Sequence, residues 1–136
     1  MKNWLAMGAV SLVLVGVATV GAFEEKTPSI KSVMTKLHKG PKAEFSVLKT
    51  QVEAETPDWD AISKTTEDFV TLGAALGKND PPKGEKDSWK KLSAKYLKDA
   101  EALDEAAEAK DLDKLKAAQK AMGASCKACH TPHRGK

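Results

Sequence analysis

Four stretches of the chain repeat apolar residues at helical spacing, and no stretch alternates as a strand would. In the first, Ile30, Val33, Met34, Leu37 and His38 share one helix face, with Thr27 as N-cap and Pro28 in the first turn. Gly40 and Pro41 break or kink this helix, and Phe45, Leu48 and Val52 resume the stripe beyond them. The second stretch opens on a similar signal, Thr56-Pro57-Asp58, and sets Trp59, Ile62, Thr66, Phe69, Gly73 and Leu76 on one face. Gly77 suits the left-handed position just past the end of that helix, and Asn79 to Gly84 read as a loop. The third helix begins near Lys86 or Asp87. It buries Trp89, Leu92, Tyr96, Ala100, Leu103 and Ala107, while lysines and glutamates fill its solvated faces. Lys110 is then a joint and Asp111 a cap for the fourth helix, whose face holds Leu112, Leu115, Gln119, Met122 and Cys126. So short a connection makes the last two helices antiparallel neighbours. The pattern predicts an all-α chain folded as an antiparallel four-helix bundle.

Residues 1–22 stand apart from this pattern. Lys2 gives a positive start, Leu5 to Val20 is apolar and uncharged, and Val20-Gly21-Ala22 offers small residues before Phe23. That is the form of a secretory signal peptide, cleaved after Ala22. An uncleaved anchor is the alternative, because the run sits at the short end of a membrane span. The expectation is a signal peptide at 1–22 and one exported, periplasmic or otherwise extracytoplasmic domain at 23–136, with no membrane span once the signal is removed. The net charge is only +3, with basic residues interleaved among acids rather than clustered with aromatics, so nucleic acid is not an expected partner.

The candidate chemistry lies at the far end of the last helix. Cys126-Lys127-Ala128-Cys129-His130 reads C-x-x-C-H and contains both cysteines of the chain. Thiols three residues apart lie on one side of a helix and can add to the two vinyl groups of a haem. The next imidazole then stands close enough to ligate the iron. Three other uses of these residues are weaker. A zinc site from Cys126, Cys129, His130 and His133 would crowd four ligands into eight residues. A redox dithiol belongs at a helix start after a strand, and a disulfide here would close a very small loop. The favoured reading is one covalent haem c on Cys126 and Cys129, with His130 as proximal iron ligand.

A four-helix bundle with C-x-x-C-H near its C-terminus resembles the class II cytochromes c, the cytochrome c′ and cytochrome c556 family. The resemblance spans Phe23 to Lys136. In that family the motif commonly runs into an aromatic-basic pair, and His133 and Arg134 hold those places here. The resemblance implies a distal residue from the first helix: a methionine in low-spin c556-like members, an apolar residue over an open site in cytochromes c′. Met34 stands where that methionine is expected. His38, one turn later on the same face, is the alternative distal ligand. This histidine and the Gly40-Pro41 break are the departures from the family pattern.

Other residues take lesser parts. His133 follows Pro132 and is expected off the helix, at the surface. Arg134 and Lys127 are either propionate partners or solvated charges. Trp59, Trp89 and Tyr96 are core residues, some of them against the porphyrin. Gly123 leaves the ring room, and Met122 is core. The expected function is one-electron transfer between extracytoplasmic redox proteins. The alternative is a module binding NO or CO at an open distal face. Neither a nucleophile-base pattern, a phosphate loop nor a carboxylate pair points to an enzyme. The resemblance also implies a possible homodimer through the first two helices.

Overall fold

In the computed structural model, which describes residues 26–135, five helices follow one another without a strand. They are α1 (Ile30–His38), α2 (Glu44–Glu53), α3 (Trp59–Leu76), α4 (Lys86–Glu108) and α5 (Leu112–His133). The expected signal peptide at 1–22 lies outside the described residues. None of the helices among the described residues is long and apolar enough to cross a membrane.

The helices start where a side chain can satisfy an orphan amide. Ser29 Oγ accepts from the amide of Ser32 at 3.2 Å, and Asp58 Oδ1 from that of Ala61 at 3.1 Å. The expected caps Thr27 and Thr56 are therefore corrected to Ser29 and Asp58. Each proline falls just before the true cap, where it fixes the approach of the chain. Asp111 caps α5 as expected, taking the Lys114 amide at 3.0 Å. That bond is the main cause of its carboxyl lying below the usual carboxylate range. Gly77 departs from expectation: its φ of −66° is right-handed, and the chain turns on through Lys78 to Asn79. The left-handed residue at a joint is Lys110, at φ 52° between α4 and α5.

Cross-helix contacts fix the directions. Thr66 donates to Asp104 at 2.7 Å, a Cβ on Gly73 would meet Tyr96, and Trp89 Nε1 donates to the Asn79 carbonyl at 2.8 Å. Rising residue numbers on α3 thus meet falling numbers on α4, so the pair is antiparallel. Ser88 near the start of α4 meets His133 at the end of α5, which makes that pair antiparallel too. Lys36 pairs with Asp68 at 2.8 Å, and Asn79 Nδ2 reaches the Pro28 carbonyl at 3.0 Å, so α1 runs against α3. The expected four-helix bundle is present, with its first member divided into α1 and α2 at Gly40, whose φ is 96°.

The core is the apolar stripe of each helix brought together. Leu37, Leu48, Ile62, Phe69, Leu103, Leu115 and Met122 are all fully buried. Among the stripe residues that stay half-buried are four, Ile30, Met34, Leu92 and Tyr96, that cluster in space. All four lie toward the end of the bundle where α1 and α4 begin and α3 and α5 finish.

Candidate functional site

Ile30, Met34, Leu92 and Tyr96 line a cavity of about 820 Å³. Its position follows from the broken first helix. α2 packs on both α3 and α5, whereas α1 packs on α3 and α2 and reaches α4 through His38 and Tyr96, its backbone lying away from that of α5. Phe45, at the start of α2, touches Gly123 of α5 and meets Phe69 edge-to-face at 6.4 Å between ring centres. Below the break the bundle is closed; above it, α1 and α5 stand apart and the cavity fills the gap. The room left by Gly123 serves Phe45, so its expected role beside a porphyrin is corrected.

The α5 wall of the cavity carries Cys126, Cys129 and His130, and the α1 wall carries Met34 and His38. All five sequence-predicted site residues are therefore brought to one space. Both cysteines are half-buried free thiols, while His130 is exposed at the rim. Cys126 Sγ leans on the Met122 carbonyl at 3.7 Å. Burial raises the pKa of the Cys129 thiol, and the neighbouring Cys126 raises it further.

His38 is engaged on the cavity floor. Its Nε2 lies 2.7 Å from the Tyr96 hydroxyl, and its ring packs against Phe45, Phe69 and Tyr96. Burial lowers its pKa from 6.5 to about 4, with His130 across the cavity adding to the effect. Burial likewise pushes the Tyr96 phenol far up, helped by Cys126, Asp99 and Cys129. Both partners are thus held neutral near pH 7. Tyr96, expected in the core and among the residues some of which face the porphyrin, does line the cavity, but its pairing with His38 has no signal in local spacing. Such a neutral histidine has a measurable sign. Between pH 6.5 and 4 the unfolded chain binds a proton that the folded chain refuses. His38 therefore subtracts nothing above pH 6.5 and erodes stability as the pH falls toward 4. On acidification across that window the wild type should lose on the order of 1 kcal/mol more than His38→Gln. Urea denaturation followed by circular dichroism measures it; superimposed profiles would mean that His38 is not held neutral.

His133 is the clearest correction. The helix continues through Pro132, and His133 is only 3% exposed. Its Nε2 lies 3.0 Å from Ser88 Oγ and its Nδ1 2.9 Å from the Lys83 carbonyl. With both ring nitrogens committed, it is not at the surface and has none left for a metal. That removes the fourth ligand from the zinc reading. Among the described residues no group of three or more His, Cys, Asp or Glu side chains is placed to hold a metal ion.

The remaining expectations divide. Trp89 and Tyr96 line the cavity, but Trp59 packs on the core elsewhere. Arg134 stands at the cavity mouth and Lys127 is solvated. Asn79, in the expected loop, ties three elements together. Its amide reaches Pro28 before α1 and Ala75 in α3, and its carbonyl takes the Trp89 indole of α4.

The fit to a covalent haem can be tested on these residues. The group needs a flat apolar space, two thiols on one wall, an imidazole beside them and a ligand opposite. Ile30, Leu76 and Leu92 make the cavity apolar, the thiols and His130 share the α5 wall, and the Met34 thioether is on the facing helix. The donor set and the space fit.

Comparison with known proteins bears on the same region. The family model of cytochrome c′ matches residues 84–134, which is all of α4 and α5 with the motif included. Such a match implies haem as the cofactor. No match was found among curated proteins or among solved structures. The likeness to the class II cytochromes c is thus shown by the family match, and it is the α4–α5 hairpin with its C-x-x-C-H turn that carries it.

Proposed function

We propose that the chain is an exported c-type cytochrome that carries single electrons between extracytoplasmic redox proteins. One haem c would be held by Cys126 and Cys129, with His130 as proximal ligand and Met34 as distal ligand. The observation that supports this most is the gap between α1 and α5, with thiols and imidazole on one wall and a thioether on the other. When bound, the group supplies an Fe(III)/Fe(II) couple whose potential the axial ligands set.

The chain's own residues do the rest. Two thioether links and two axial ligands from facing helices would hold the ring in one orientation. With the ring in place, the apolar lining would limit water at the buried side and so limit reorganisation when charge changes. Met34 is preferred over His38 because His38 Nε2 is already bonded to Tyr96. Exposure of His130 at the rim leaves a short route to a partner's surface. Export through the segment at 1–22 to the periplasm agrees with covalent haem. A homodimer through α1 and α2 belongs to the same reading, and catalysis does not. A second reading, a module for NO or CO with an open distal side, draws on the His38–Tyr96 pair, which could donate a hydrogen bond to a bound diatomic.

The absorption spectrum of the exported protein tests this. Electron transfer requires a Soret band with sharp α and β bands on reduction. A broad spectrum that shifts with CO supports the second reading, and a colourless protein refutes both.

A further inference from the structure

We propose that His133 is the positioning residue that sets the haem-attachment turn of α5 against the α3–α4 loop. The inference rests on the function proposed above. The turn that carries His130 is short of one rung, because Pro132 has no N–H to give to the Ala128 carbonyl. A helix end weakened in this way is free to swing unless it is tied from outside.

His133 supplies that tie, three residues beyond His130. The Lys83 carbonyl only accepts, so in the singly protonated tautomer that fits this contact the proton is on Nδ1 and is donated there over 2.9 Å. Nε2 is then the acceptor for the Ser88 hydroxyl at 3.0 Å. Trp89 closes the slot edge-on, with ring centres 5.4 Å apart. The loop comes in close enough for this only because residue 84 is glycine. Its φ is +83°, and a Cβ there would lie 2.8 Å from both His133 Nδ1 and the Pro132 carbonyl. Ser88, Lys83 and Gly84 thus hold one imidazole in one tautomer and one place. By fixing the end of α5, they fix where the His130 ring stands relative to the α1 wall.

The test uses the exported, haem-loaded protein and four variants: His133→Phe, His133→Asn, Ser88→Ala and Gly84→Ala. His133→Phe fills the slot and loses both hydrogen bonds. It should split the low-spin electron paramagnetic resonance signal into more than one population, shift the midpoint potential and raise the CO association rate roughly 10-fold. Asparagine keeps an N–H for the Lys83 carbonyl and should restore most of the wild-type behaviour. Gly84→Ala leaves His133 in place but displaces the loop, and should reproduce the phenylalanine signature. Ser88→Ala removes one bond and should give a weaker form of it. If His133→Phe does not fold, the loop and serine variants carry the test. Wild-type signal, potential and CO rate in the variants that fold would overturn the proposal. Nitrogen-15 spectra of the His133 ring give a readout that needs no haem. An Nδ1-protonated ring is expected, and an Nε2-protonated one overturns the inference. A haem-free wild type would instead overturn the function proposed above, so the two failures are distinguishable.

Discussion

Replacing Cys126 and Cys129 together by alanine should leave a chain with no covalently held haem. Both sulfurs sit half-buried on the α5 wall of the cavity, and the chain has no other cysteine to substitute for them. A thioether survives denaturation, whereas an axial bond from His130 does not. The expected readout is therefore complete loss of haem staining on a denaturing gel and a mass equal to the bare polypeptide. Each single variant retains one link, keeps the stain and shifts the α band of its pyridine complex, because one vinyl group stays unsaturated. Red colour that persists in the double variant after denaturation would contradict the assignment.

Met34→Ala should have the second-largest effect. Met34 is the one thioether on the α1 side of the cavity, half-buried and facing the gap that separates α1 from α5. Truncation would remove the proposed strong-field ligand without emptying a fully packed site. The iron should convert completely from low to high spin, bind CO rapidly and show a lower midpoint potential, since a thioether opposite an imidazole raises it. His38→Ala separates the candidates, because His38 is bonded to Tyr96 and its loss should leave the low-spin spectrum in place. If His38→Ala changes spin state and Met34→Ala does not, the distal assignment passes to His38.

What could be read directly from the chain was whatever depends on local spacing. The apolar stripes gave the helices, and the C-x-x-C-H turn gave the chemistry. The Gly40-Pro41 pair marked the break to within a residue or two, because both residues act on their own backbone. Helix starts were less legible. Thr27 and Thr56 are good caps by type, but Ser29 and Asp58 are as good and stand where the amides are. The misread residues were those whose role depends on a distant partner. His133 looked like a surface residue because Pro132 was expected to end the helix, and Ser88 and Lys83 lie over forty positions away. Tyr96 looked like core because His38, its partner, is 58 residues distant. Gly123 pointed to a cavity but belonged to Phe45. No single residue announces such pairings; they exist only once the helices are antiparallel.

The break after His38 has a consequence for how the chain would take up a flat ring. α1 is nine residues long, too short to persist alone in water. It is moored by the Asn79–Pro28 bond, the Lys36–Asp68 pair, the His38–Tyr96 bond and two buried side chains, Val33 and Leu37. α3, α4 and α5 are by contrast 18, 23 and 22 residues long. The wall opposite the thiols is thus a short helix held by tertiary contacts rather than by its own length. Its place is set by those few ties, whereas Cys126, Cys129 and His130 ride on a helix of 22 residues.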